Sequence, residues 1–107
     1  MKYHMQSFID LFKRKIILTE ENRNHILSRL EILNQEEKIK ETLLNPELLK
    51  KSVSDDKVII YYKHYSKTPV TSKYMAVIVK ITDKENFIIS AYFTDRIKKG
   101  DLLWKKI

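Results

Sequence analysis

VIIYYKHYSKTPVTSKYMAVIVKITDKENFIISAYFT, residues 58–94, decides the fold. β-Branched and aromatic residues dominate three blocks of it, 58–65, 73–81 and 87–94. Such residues favour the pleated, half-buried surface of a strand. The separators SKTPVTS and TDKEN are short, and connections of that length favour antiparallel hairpins over crossovers. The block YMAVIV is apolar at nearly every position, so it is expected at the centre of a sheet with both faces covered. In the last block, strict alternation assigns Phe87, Ile89, Ala91 and Phe93 to one face and Ile88, Ser90, Tyr92 and Thr94 to the other.

Upstream the spacing changes to that of helices. Thr19 suits an N-cap, and Glu20 and Glu21 suit the positive end of a helix dipole. Apolar residues then recur at Ile26, Leu27, Leu30 and Leu33. His25 lies on the flank of that stripe, on the side of Asn22 and Arg29. A second helix is expected over QEEKIKETLL, with Ile39 and Leu43 four apart. Asn45-Pro46 ends it, because the residue before proline is pushed out of the helical region. PELLKKS then reads as a further short helical piece, with Pro46 at its first position. Before the first helix, KRKIIL (13–18) reads as a short strand, and the residues just ahead of it fit one helical turn or more strand. At the other end, DLLWKKI is expected to pack Trp104 and Leu102 or Leu103 back onto the sheet. Helices first and a strand meander after make an α+β domain, with one sheet face or its rim left open.

The chain has 107 residues, enough for one domain with one core. Its formal charge is +7 and its pI about 9.5. An excess of that size favours polyanionic partners: nucleic acid, acidic lipid or an acidic protein. There is no cysteine, which excludes a disulfide framework and a thiolate metal site. No run approaches the roughly 20 apolar residues of a membrane span, and KRK interrupts the N-terminal stretch. The expectation is therefore a soluble, cytoplasmic protein with no membrane partner.

Local motifs narrow the chemistry. His4, His25 and His64 show no ligand spacing, so no metal site is expected. A single glycine, Gly100, cannot build a phosphate-cradling loop. No serine sits in a nucleophile elbow. Basic and hydroxyl groups near strand ends remain: Lys63, His64 and Tyr65; Lys73 and Tyr74; Tyr92, Thr94, Arg96, Lys98 and Lys99. Cations and hydroxyls of this kind can steady a phosphate without a metal, and an imidazole can move protons at neutral pH. Each also has an ordinary structural explanation. Strand tyrosines pack sheets, turn lysines face water, and an Asp95–Arg96 pair contributes little. Spacing alone favours a basic α+β binding module slightly over an enzyme.

A resemblance adds a sharper expectation. Across residues 14–104, IILTEENRNHIL, TLLNPELLKKS, YYKHY, KYMAVIVK and above all AYFTDRIKKGDLLW resemble the phage-associated nuclease group of the barnase–EndoU–colicin–RelE superfamily. That resemblance implies N-terminal helices packed on a four-stranded antiparallel β-sheet. It implies a single domain over 1–107, with 1–12 as an N-terminal extension. It further implies a metal-independent endoribonuclease of the RelE-like toxin type, which cuts mRNA or tRNA by attack of the 2′-hydroxyl, needs no cofactor and is held by an acidic antitoxin. On that scheme His25 transfers protons, Lys63 and Arg96 hold the scissile phosphate, and Tyr65 and Thr94 donate hydroxyl hydrogen bonds. Lys73, Tyr92, Lys98 and Lys99 bind RNA around it. The alternatives are a non-catalytic basic RNA-binding module and a scaffold for the antitoxin.

Overall fold

The computed structural model describes residues 5–28, 36–66 and 74–107. Their elements run β1 (Gln6–Ile9), β2 (Lys15–Leu18), α1 (Glu20–Leu27), α2 (Glu36–Leu44), β3 (Leu48–Lys51), β4 (Val58–His64), β5 (Tyr74–Ile81), β6 (Asn86–Thr94) and β7 (Leu102–Lys105). The strands form one seven-stranded sheet in the order β1-β2-β6-β5-β4-β3-β7. All neighbours pair antiparallel except β2 and β6, which are parallel.

This architecture corrects the four-stranded antiparallel sheet that the resemblance implied. The β4-β5-β6 meander forms as its composition predicts, and β5 lies at the middle with Met75–Val79 buried. The sheet then grows at both sides from segments with weak local signals. Residues 6–18 add a hairpin beside β6, so the ambiguous stretch before KRKIIL includes a strand and a turn. On the other side, PELLKKS is a strand rather than a helix. Leucine and lysine favour helix intrinsically, but Leu48–Lys51 pairs with β4 on one side and β7 on the other. That two-sided pairing overrides propensity.

Two layers of packing result. On one face, here the helix face, Ile26 of α1 and Ile39 and Leu43 of α2 pack with Leu49, Tyr61, Met75, Val77, Val79, Ile88, Ala91 and Phe93. Burying such side chains contributes roughly 1.5–3 kcal/mol each before entropic costs. Thr19 Oγ1 accepts from the Asn22 N–H at 3.2 Å and caps α1 as expected. On the other face Val58, Ile60, Tyr62, Ala76 and Ile78 form a smaller cluster.

Strict alternation in β6 fails at one point. The β5–β6 register shifts between Ile78 and Val79, so Ile78 faces Ser90 and Val79 faces Ile88. Ile89 is the extra residue of a bulge and is 38% exposed. Ile88, Ala91 and Phe93 consequently share the helix face. The bulge also fastens α1, whose Asn22 Nδ2 donates to the Ile88 carbonyl at 3.0 Å.

The turn after β1 pins the helix face. Asp10 is buried, and its Oδ1 accepts from the N–H groups of Phe12 and Arg14 at 2.9 and 2.8 Å. Its Oδ2 accepts from the Tyr61 hydroxyl at 2.6 Å and from Arg14 Nε at 2.9 Å. Arg14 also donates to the Tyr61 hydroxyl at 3.0 Å. Asp10 and Tyr61 are buried and Arg14 is half-buried, and each has a partner, which is the condition for burying charge at tolerable cost.

Residues 95–100 have a distinct task. The chain must travel from β6 to β7, and three strands (β5, β4 and β3) lie between them. It crosses as a strap over the second face. Ile97 packs on the Tyr62 cluster, and the Lys98 N–H donates to the Tyr62 hydroxyl at 3.0 Å. The crossing ends where Gly100, at φ +155°, lies against β3: a Cβ there would meet the Lys51 carbonyl oxygen at 2.0 Å. Only glycine fits both the conformation and the gap. Trp104 packs on the helix-face core as expected, whereas Leu102 and Leu103 are exposed.

Candidate nucleic-acid interface

Alternation along β4 separates its polar residues onto the two faces. Lys63 and Tyr65 follow Tyr61 to the helix face, and His64 follows Tyr62 to the strap face. Lys63 Nζ donates to the Asn45 carbonyl at 3.0 Å and sits 5.8 Å from the Tyr65 ring. The Tyr65 hydroxyl donates to Glu41 Oε1 at 2.6 Å. Burial, helped by that carboxylate, pushes its phenol above the ordinary tyrosine range. Both side chains therefore fasten β4 to α2 and the turn behind it.

His25 is exposed on α1, a helix that packs through Ile26 on the helix face. Arg96 is exposed in the strap, on the opposite side of the sheet. Thr94 Oγ1 accepts from the Arg96 N–H and donates to the Arg96 carbonyl, both at 3.1 Å, and so shapes the strap's first turn. The expected catalytic set of His25, Lys63, Tyr65, Thr94 and Arg96 is thus divided by the sheet. Lys73 lies outside the described residues.

The strap face does gather the others. Register places His64, Tyr74 and Thr94 in one row across β4, β5 and β6, with Tyr62, Ala76 and Tyr92 in the row behind. Directly paired residues project to the same face, with neighbouring strands about 4.8 Å apart. The His64 and Tyr74 rings meet edge to face at 5.5 Å, and Tyr62 and Tyr74 at 6.5 Å. Lys98 Nζ stands 6.0 Å from the Tyr92 ring centre. Tyr62 is fully buried under the strap, while Tyr74 and Tyr92 are half-buried and His64 is exposed. Beyond the strap a groove of about 590 Å³ has Val58, Ile60, Ile78 and Ile89 in its floor and Lys98 and Lys99 on its rim.

Charge follows the same division. The two helices carry Glu20, Glu21, Glu36, Glu37 and Glu41 against Arg23, Lys38 and Lys40. The strap exposes Arg96, Lys98 and Lys99 against Asp95. Asp55, beside the groove, is paired with Lys80 at 2.5 Å, which lowers its pKa.

Sequence reasoning overlooked two groups. His64 and Tyr74 were set beside other candidates without being joined, although parity with Tyr62 marks His64 as a strap-face residue. Asp10 and Arg14 gave only a four-residue acid–base spacing in an ambiguous stretch. Among the described residues, no group of three or more histidine, aspartate or glutamate side chains could hold a metal ion. Among the same residues, no helix is long and apolar enough to cross a membrane. No family model, curated protein or solved structure matches this chain.

Proposed function

We propose that this chain is a basic module that binds single-stranded RNA across the strap face. Bases stack on Tyr74, Tyr92 and His64, and backbone phosphates meet Arg96, Lys98 and Lys99. The observation that carries the reading is a group of accessible rings on one sheet face, His64 and Tyr74 in one row and Tyr92 in the next, flanked by unburied cations of one strap. Stacking on such rings supplies about 1–3 kcal/mol per base and tolerates any sequence, while lysine and arginine track the backbone. The net charge of +7 supports the same class of partner.

The test is fluorescence anisotropy with a labelled oligouridylate, with matched duplex RNA and oligodeoxythymidylate as competitors. The expected result is preference for the single strand and affinity that falls steeply with salt. Binding that ignores salt, or preference for the duplex, would overturn it.

Metal-independent cleavage is the second reading, favoured by one observation: His64 stands beside Tyr74 in the row that ends at Thr94, whose hydroxyl bonds the backbone of Arg96. An imidazole there can take the 2′-hydroxyl proton as the 2′-oxygen attacks phosphorus, Arg96 can stabilise the charge that builds there, and the P–O5′ bond breaks with the leaving 5′-oxygen taking a proton from water. This assigns proton transfer to His64 in place of His25. Total RNA incubated with the protein in EDTA separates the two readings. Cleavage that stops in His64→Ala and continues in His25→Ala supports the second; intact RNA under all conditions leaves the binding module.

A further inference from the structure

The groove beyond the strap differs in chemistry from the rings. Its floor is aliphatic: Val58 and Ile60 of β4, Ile78 of β5 and Ile89 of β6. Ile60 and Ile78 pair directly, and the Ile89 bulge adjoins that pair on β6. The floor thus spans three neighbouring strands, about 10 Å across. The bulge is what brings Ile89 here. Simple alternation would send it to the helix face with Ala91 and Phe93, and bulges beside sites commonly re-aim a side chain. Ile89 is 38% exposed, and Val53, from the turn that walls the groove, is 79% exposed. The space of about 590 Å³ falls in the range of small-ligand clefts.

Most polar groups around this floor are already engaged. The Ser52 and Ser54 hydroxyls are 3.2 Å apart, and the Ser54 N–H donates to Ser52 Oγ at 3.3 Å. Asp55 is held by Lys80. No buried side-chain polar atom among the described residues lacks a partner. Lys98 and Lys99 remain on the rim. Both are exposed, and neither joins an ion pair among the described residues. The floor has no ring on which a base could stack and no side-chain donor or acceptor to read a base edge. What complements this lining is an aliphatic body with a negative end.

We propose that the groove binds a monomeric, unesterified medium-chain alkanoate, its chain over Val58, Ile60, Ile78 and Ile89 and its carboxylate at Lys98 and Lys99. Removing the chain from water supplies the affinity, and the two ammonium groups select the sign of the head group. The proposal does not rest on the RNA reading, although both use the same two lysines.

Isothermal titration calorimetry of the full chain with hexanoate, octanoate and decanoate tests it, each ligand below its micellar concentration and with no RNA present. The expected result is one site whose affinity rises about two- to fourfold per added methylene. Alkylamines of the same lengths should bind more weakly. Methyl NMR spectra should shift first at Val58, Ile60, Ile78 and Ile89. Ile89→Gln should weaken decanoate binding, and Lys98→Ala/Lys99→Ala should remove the preference for acid over amine, both with unchanged circular dichroism. Absence of saturable decanoate binding overturns the proposal. So do amines that bind as well as acids, methyl shifts at Ile9 and Leu44 in place of the floor, or unaltered binding in both variants. Binding to phosphatidylglycerol vesicles without binding of monomeric decanoate also overturns it and makes this face a membrane-surface site. Failure of RNA to bind in the anisotropy assay leaves each of these outcomes unaffected.

Discussion

Tyr61 and Tyr62 are neighbours on β4, and both are fully buried, yet they are buried in different ways. Tyr61 lies on the helix face under a hairpin turn, where Asp10 and Arg14 hold its hydroxyl. Tyr62 lies on the strap face, where one backbone N–H, that of Lys98, meets its hydroxyl. The first face is closed by helices and a charged cluster that spends its polar groups internally. The second is closed by a single crossing of the chain, which leaves rings and cations at its margins. Stability should therefore respond to changes on the helix face and ligand affinity to changes on the strap face.

The harshest way to break this contrast is Asp10→Ala. It strands Arg14 and the Tyr61 hydroxyl and leaves two turn N–H groups without their acceptor. Removing one partner from a buried ion pair costs about 3–5 kcal/mol, and the 32% exposure of the Arg14 side chain sets the expected loss at the lower end of that range. Guanidinium unfolding should show that loss, while RNA affinity, measured where the variant is still folded, stays unchanged. A loss under about 1 kcal/mol, the range of an exposed pair, would deny that the turn pins this face.

The converse substitution is Tyr92→Ala. It removes a half-buried ring on the strap face. Loss of one stacking platform weakens single-strand binding by about 1–3 kcal/mol, or roughly 5- to 150-fold. Anisotropy titration checks this, and unaltered affinity would remove Tyr92 from the interface.

The same contrast explains what could be seen from sequence. β4, β5 and β6 were legible because their β-branched and aromatic runs are long enough to state a strand locally. β3 was not, since Leu48–Lys51 reads as helix until β4 and β7 pair with it from both sides. The face assignment of β6 was half legible. Ala91 and Phe93 follow simple alternation, but the bulge at Ile89 is a property of the β5–β6 ladder and leaves no mark in β6 alone. TDRIKKG lies in the stretch that carries the resemblance most strongly, but its structural task cannot be read from its residues. Its meaning depended on topology: it carries the chain over intervening strands, and Gly100 is fixed by contact with Lys51. The division of Lys63 and Tyr65 from His64 was available from parity and needed only Tyr61 as an anchor.

Alkaline titration sharpens the comparison from the helix side. Burial first, and then the Asp10 carboxylate, raise the Tyr61 phenol above its ordinary value, against the opposing pull of Arg14. The unfolded phenol releases its proton near pH 10, whereas the folded one holds it. The stabilisation is therefore complete below about pH 10 and is lost as pH rises above it, by up to about 1.4 kcal/mol per pH unit for each such phenol. Tyr62 and Tyr65 are raised as well and act in the same direction. Urea midpoints followed across that range should fall, and Tyr61→Phe should flatten the fall. An identical slope in the variant would mean that Tyr61 is not the protected group.

The smallest effect tests the strap itself. Lys98 does two things: its N–H holds Tyr62, and its ammonium stands over the Tyr92 ring. Lys98→Ala keeps the first and removes the second. Stability should stay within about 0.5 kcal/mol, as for an ordinary surface change. The slope of log affinity against log salt should become shallower by about 0.7, the value for one phosphate contact on a single strand. If the slope stays unchanged while affinity drops, Lys98 acts by holding the Tyr92 ring in place. If stability falls by several kcal/mol, the Lys98 side chain anchors the strap, and the division between a structural face and a binding face fails at this residue.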